Sequence, residues 1–362
     1  MRIAILGCGI VGSAVARRLT SPAARATGSP CEVDLTHIFD RRAGEKSRIF
    51  PKASIAKAMV WTERIEDVLR SDVDVIVETT GTIEPAANWI RASLLAGKSV
   101  VTANKQVIAR YGPALLELAA KSGKQLRFEA AIGGAMPIVR AIVDGMAGDE
   151  LVKVIAILNG TTNLVLSRME AAGCSIEDAL DEARRQGCAE SDPSDDLDGR
   201  DAAAKLAILC SLAFRTQISP DEIVTRSAGR IGRSDVARAA GQSGVIRQLA
   251  HARFDSRSST LTAWVSPVVV PRASIFGQTV GPQNVAVVTG TFSGDMGVFG
   301  TGAGGAATSS AVLSDLLAIA RDRAAVSRPV SLTKPEKIVG FSSVEAGPAI
   351  DWNQVASPVE VL

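Results

Sequence analysis

The segment Arg2-Ile3-Ala4-Ile5-Leu6-Gly7-Cys8-Gly9-Ile10-Val11-Gly12 decides the fold. Residues 2–6 form a short, largely apolar run ending on a glycine, the pattern of a buried strand. From Val11 to Leu19 apolar residues recur at helical spacing, up to the break at Ser21-Pro22. A glycine-rich turn at such a junction has a physical use. The first glycine permits the tight turn, and the second lets a pyrophosphate approach the backbone. The third lets helix and strand pack closely, with phosphate at the helix N-terminus. Gly7, Gly9, Ile10, Val11 and Gly12 are therefore candidates to bind a dinucleotide. The bland alternative is a glycine-rich turn that only shapes the chain.

Outward from this turn, the runs Val33 to Phe39, Val73 to Val77, Ser99 to Thr102 and Leu126 to Ala130 read as further strands. The helical stretch Pro85 to Leu95 lies between two of them. Strands alternating with helices predict an α/β fold with a parallel, doubly wound, Rossmann-type sheet. After about residue 145 the grammar changes. Leu151 to Leu158 reads as a strand, followed by helices Asn163 to Ala172, Ser175 to Gln186 and Asp201 to Phe214. The β-branched runs Leu261 to Val265 and Val285 to Thr291 suggest a mixed or antiparallel sheet in an α+β second domain. The glycine cluster Gly300 to Gly305 precedes a helix near Ser310 to Arg321.

The chain has 362 residues, of which 46% are hydrophobic, enough to bury a large core. Aromatics are 4%, and Lys+Arg 40 against Asp+Glu 38 gives a net charge of +2. Neither stacking material nor a charged footprint for nucleic acid or an anionic membrane is present. Cys8, Cys31, Cys174, Cys188 and Cys210 are scattered without a C-x-x-C pair. With only His37 and His251 beside them, neither a disulfide framework nor a zinc site is expected. The N-terminus enters a strand directly and no apolar run approaches a membrane span, so a cytoplasmic globular protein is expected.

Three further places carry candidate chemistry. Asp40 ends the second strand, where a carboxylate could accept ribose hydroxyls. Arg41 and Arg42 follow and could pair a 2′-phosphate instead, which leaves NAD and NADP both open. Thr80 and Lys105 lie at the carboxyl ends of the third and fourth strands, where open α/β sheets bind ligands. The stretch Glu190 to Asp201 holds six carboxylates in twelve residues. A calcium loop fails on register: with Asp198-Gly199 at its fifth and sixth positions, Lys205 falls at the twelfth, where a bidentate Glu is needed. Asp201 and Lys205 instead stand one helical turn apart, and Leu206, Ile208 and Leu209 seat the helix in the core. A lysine at the buried start of an apolar helix, beside carboxylates, suits proton transfer. Asn159-Gly160-Thr161 fits a glycosylation sequon, but a strand-to-helix cap is the better local reading.

Taken together, Gly7 to Gly12, Thr102-Ala103-Asn104-Lys105, Phe128-Glu129-Ala130-Ala131, Asn159-Gly160-Thr161-Thr162-Asn163, Glu190 to Lys205 and Gly302-Ala303-Gly304-Gly305 resemble homoserine dehydrogenase. That family interconverts L-homoserine and L-aspartate 4-semialdehyde with NAD(P), on the route to threonine and methionine. The resemblance implies Lys205 as acid/base. Lys105 lies opposite it and also touches substrate and cofactor, and Asp201 positions Lys205. Glu190 and Asp196 are implied for the substrate ammonium, Gly160 and Thr161 for its other end, and Thr80, Gly187 and Gly302 for the cofactor. A monovalent cation, Na or K, is implied at Glu129, Ile132, Gly134 and Met136. The family also implies a homodimer built through the second sheet, with Leu151 to Leu158 and Val285 to Thr291 as candidate strands. The expected division is an NAD(P)-binding domain at residues 1–133, with about 305–362 packing back on it, and a catalytic and dimerisation domain at 134–304.

The chain departs from the family at Cys188, usually aromatic, at Phe299, usually tyrosine, and at Ala306-Ala307, where a proline is usual. A short form is expected, without the C-terminal regulatory domain that many relatives carry. Two rivals stand beside this reading. One is a dehydrogenase of a related small hydroxy amino acid, motivated by Cys188. The other is a dinucleotide sensor that binds NADP(H) without turnover.

Overall fold

Six short strands build the first sheet of the computed structural model, which describes residues 1–21, 33–50, 59–327, 329 and 331–340. They are β1 (Arg2–Leu6), β2 (Asp34–Phe39), β3 (Val60–Thr62), β4 (Val75–Glu78), β5 (Ser99–Thr102) and β6 (Leu126–Arg127). All pair in parallel in the order β3-β2-β1-β4-β5-β6. Ile3 and Ile5 face one core, with Val15 and Ala16 of helix Ile10–Thr20 and Val312 and Leu316 of helix Gly305–Arg321. Ala4 and Leu6 face the other, with Phe39, Val68 and Ile76. Two covered faces explain why β1, β4 and β5 read as nearly continuous apolar runs. The strand order reverses between β1 and β4, which leaves a crevice at their carboxyl ends.

Two expectations change here. β3 went unread, being only three residues long. The run Leu126 to Ala130 is a strand only as far as Arg127, and Glu129–Ala131 forms a 3₁₀ turn. The backbone N–H of Glu129 donates to Asp315 Oδ2 at 2.9 Å, which draws the chain out of the ladder.

The second sheet is mixed, as its sequence suggested. Its strands are β7 (Leu151–Ile157), β8 (Val224–Thr225), β9 (Gly244–Asp255), β10 (Thr260–Pro271), β11 (Gln283–Gly290), β12 (Gly294–Thr301) and β13 (Lys337–Val339). The order is β12-β11-β7-β9-β10-β13, with β8 also on β10. Pairing is antiparallel from β12 to β10, and β8 and β13 run parallel to β10. Helices Gly160–Ala172, Ile176–Arg185 and Arg233–Gly241 share a core with Ile246 of β9. Helix Arg200–Phe214 is buried along most of its length.

The chain divides into one unit of Met1–Ala135 with Gly304–Ser331 and another of Met136–Ala303 joined by residues 332–340. Helix Gly305–Arg321 thus belongs with the first sheet, whereas residues 337–339 pair with Thr260, Leu261 and Thr262 of β10. The expectation that all of 305–362 returns to the first domain is corrected to that extent. Cys31 and residues 341–362 lie outside the described residues. No helix among the described residues is long and apolar enough to cross a membrane.

Candidate active site

At the end of β1 the backbone of Gly7 takes φ +89°, and its N–H donates to the carbonyl of Phe39. A Cβ on Gly7 would come within 2.9 Å of Thr80 Cγ2, and one on Gly12 would fall on the carbonyl oxygen of Gly7. Both positions therefore require glycine, one for conformation and one for close packing. Gly9 faces open space and caps helix Ile10–Thr20 without a side-chain bond or an acidic residue in its first turn. Ile10 is exposed and Val11 partly so. This is a helix N-terminus open to an anion.

Asp40 follows β2 and serves this turn directly. Its Oδ2 accepts from the Cys8 N–H at 2.8 Å and from the Lys46 ammonium, and its Oδ1 accepts from the Arg42 N–H at 2.9 Å. Burial pushes the carboxyl up, but the Lys46 bond and the two backbone N–H bonds outweigh it and hold it below the ordinary value. Arg41 is exposed beside it. Along the same crevice, buried Glu78 takes the N–H and hydroxyl of Thr80 on Oε1 and the hydroxyl of Thr102 on Oε2. Asn104 then caps helix Lys105–Lys121 by accepting from the Val107 N–H, which places half-buried Lys105 on its first turn.

The second unit gathers its chemistry around β7. Lys205 and Asp201, 8% and 6% exposed, form an ion pair of 2.8 Å one turn apart on helix Arg200–Phe214. Lys205 Nζ also donates to the carbonyl of Leu158 at 2.7 Å. Asn159 caps helix Gly160–Ala172 with Oδ1, and its Nδ2 donates to Asp196 Oδ1 at 2.6 Å and Asp201 Oδ2 at 3.0 Å. Asp196 is raised above the ordinary carboxylate value. Burial is the main cause and Asp201 adds to it, while the Asn159 bond opposes. Thr161 donates its hydroxyl to the carbonyl of Cys188 at 2.9 Å, and Gly160 is buried beside it. Gly187, at φ +70°, ends the preceding helical segment, and Glu190 stands exposed on the loop that follows, outside this network. Gly302 is buried against the carboxamide of Asn284.

Among the described residues no group of three or more His, Cys, Asp or Glu side chains could hold a metal ion. The segment implied for a monovalent cation has a different donor set, one carboxylate and backbone oxygens. Glu129 is buried, with the buried carboxylate of Asp315 bonded to its N–H. Ile132, Gly134 and Met136 are buried too, and Gly134 turns at φ +57°. A carboxylate and backbone carbonyls are the donor types that a hard cation takes.

Known proteins share this pattern along most of the chain. A family model described as "Homoserine dehydrogenase, NAD binding domain" matches residues 7–129, and one described as "Homoserine dehydrogenase" matches 137–317. Homoserine dehydrogenase of Corynebacterium glutamicum is 36% identical over 327 residues, 89% of this chain and 72% of that protein. The crystal structure of a homoserine dehydrogenase from Thiobacillus denitrificans superposes with a TM-score of 0.85 at 30% identity, over 94% of this chain and 79% of that one. A hyperthermophilic archaeal homoserine dehydrogenase in complex with NADPH gives a TM-score of 0.72 at 25% identity, over 90% and 99%.

The chain belongs to the homoserine dehydrogenase family.

Within this homoserine dehydrogenase, hydrogen bonds join Asp196, Asp201 and Lys205 into one cluster, and backbone turns place Gly7, Gly9, Ile10, Val11, Gly12 and Thr80 around another. Four participants had not been singled out: Asn159 beyond its cap, Glu78, Lys46 and Asn284. For Asn159 a signal was legible. A cap uses only the carboxamide oxygen, so a buried Asn at that position still needs partners for its NH₂.

Proposed function

We propose that this chain interconverts L-homoserine and L-aspartate 4-semialdehyde, with Lys205 exchanging the proton of the substrate hydroxyl. The observation that carries this reading is the buried Lys205–Asp201 pair, with Lys205 Nζ tethered to Leu158. The nicotinamide, when bound, accepts or supplies the hydride. In oxidation the hydroxyl proton passes to the amine of Lys205, and in reduction the lysine returns it to the oxygen. Asp201 orients the amine, and Lys105 supplies a second positive charge. Glu190 and Asp196 take the substrate ammonium, and Gly160 and Thr161 its other end. The family resemblance assigns Thr80, Gly187 and Gly302 to the cofactor beside the glycine turn. By resemblance to the family, a sodium or potassium ion would be held at Glu129, Ile132, Gly134 and Met136, through a carboxylate and backbone carbonyls. A sensor without turnover has no use for a buried Lys–Asp pair, and the family favours homoserine over a related hydroxy amino acid.

Asp40 supports NADP(H) over NAD(H). Cys8, Arg42 and Lys46 donate to it, so most of its acceptor capacity is spent as a clasp for the turn. Lys46, Arg41 and Arg42 are then the charges a 2′-phosphate would meet. Homoserine oxidation with NADP and NAD in parallel tests both statements. The expected result is turnover with a kcat/KM at least about tenfold higher for NADP, roughly one charge-assisted contact. Turnover with NAD alone would reverse the cofactor assignment.

The reaction would then lie on the route to threonine and methionine, in the cytoplasm, where the four described cysteines remain thiols. The protein would act as a homodimer. β7 and β11 are interior strands, so a partner would meet a face of that sheet or its outer strand β12, whose Phe299 is exposed.

A further inference from the structure

The carboxamide of Asn159 is 5% exposed and makes three bonds, each to a different part of the catalytic cluster. Oδ1 accepts from Thr162, which fixes the amide plane on the start of helix Gly160–Ala172. The NH₂ then reaches two carboxylates at once, Asp196 on its one-turn helix Ser194–Leu197 and Asp201 on helix Arg200–Phe214. The Asp201 oxygen it touches, Oδ2, is the one paired with Lys205. The preceding residue, Leu158, holds Lys205 Nζ through its carbonyl. One strand end therefore sets the positions of both the ammonium and its two acidic neighbours.

Two carboxylates that share one site repel each other, and one of them normally keeps a proton. Burial and the charge of Asp201 act in that direction on Asp196, while Asn159, Thr161 and Lys205 act against it. From this arrangement we propose that Asn159 is a positioning residue for the proton-transfer step. Its NH₂ keeps Asp196 and Asp201 ionised side by side, so that Asp201 stays committed to Lys205 and Asp196 stays charged for an ammonium. The proposal rests on the homoserine reading given above, because only a reaction that moves a proton at Lys205 needs this arrangement.

The variant Asn159→Asp separates bridging from capping. It keeps the size of the side chain and a capping oxygen for Thr162, but turns the donor into an acceptor. Asn159→Ser is a second variant that caps without adding charge. Homoserine oxidation is followed against pH for wild type and both variants, with cofactor Kd and Tm measured on the same samples. The expected outcome is a kcat loss of about a hundredfold or more in both, as for a displaced catalytic group. The acid limb of the kcat/KM profile moves to higher pH, because the carboxylate pair, titrating as a unit, binds its proton more tightly. Cofactor Kd stays unchanged, Asn159→Asp loses some Tm to the third buried carboxylate, and Asn159→Ser, which adds no charge, folds with Tm closer to wild type. Wild-type kcat and an unmoved acid limb in either folded variant would overturn the proposal, as would a loss confined to cofactor Kd or Tm. A wild-type protein inactive on homoserine would instead refute the reading of the reaction, and the proposal with it.

Discussion

At the scale of single residues, polar groups inside this protein are arranged by what they touch, and the consequences are measurable. His251 is fully buried on β9, stacked on Trp264 with ring centroids 4.8 Å apart at 13°. Burial, with Lys153 and Arg253 adding to it, pushes its pKa down from 6.5 to about 3. Below pH 6.5 the unfolded chain therefore takes a proton that the folded ring refuses until about pH 3. Stability falls as pH drops through that window, by up to about 1.4 kcal/mol per pH unit from this group. Nδ1 has no hydrogen-bond partner, so a phenyl ring replaces the imidazole without leaving a bond unmade. His251→Phe should flatten the Tm against pH curve between pH 6.5 and 4 relative to wild type; parallel curves would show that the ring titrates freely. None of this was legible from the sequence, where His251 is one of two isolated histidines. Lys205 and Asp201 were legible, because their spacing and the apolar residues after them place both at the buried start of one helix. Asp40 was half legible. Its place at a strand end pointed to the cofactor, but the Lys46 partner lies on the next helix and needed the fold to bring it back.

Among the secondary-structure elements, the β1–turn–helix unit carries the clearest consequence. Gly12 sits where a Cβ would strike the carbonyl of Gly7 and crowd Thr79 Oγ1. Gly12→Ala should spread helix and strand, raise the cofactor Kd by tenfold or more and lower stability by about 1–3 kcal/mol, the usual cost of overpacking. Isothermal titration with NADPH and a melting curve check it, and wild-type values for both would mean the helix yields freely. The same unit shows why the first sheet was readable. Its strands β1, β4 and β5 are short, largely apolar and closed by glycine or threonine. β9 was not readable, although it is among the longest strands. Residues 244–252 are buried on both faces yet include Arg247, Gln248 and His251, so neither an alternating nor a continuous apolar pattern appears. Arg247 is tolerated there because it pairs with Glu170 and donates to the carbonyls of Gly277 and Thr279. β6 was read too long for another reason, since the stretch Leu126 to Ala130 is diverted at Glu129 by the carboxylate of Asp315.

For the whole molecule, the proposed dimer is the outstanding structural consequence. The second sheet ends on β12, whose residues are exposed or only partly buried along its length, and β7 and β11 are already paired on both sides. Sedimentation should give about twice the 37.7 kDa of one chain. Sedimentation at the mass of one chain would contradict it. The role of Lys205 in the reaction is open to a single comparison of rates. Initial rates of homoserine oxidation with NADP are compared for the wild type and Lys205→Ala, together with the NADPH dissociation constant of each. The expected result is turnover by the wild type, a loss of about 10²–10⁴-fold in kcat for the variant, and the same dissociation constant in both. Equal turnover by the two proteins, or a variant whose lost activity is matched by lost NADPH affinity, would contradict it.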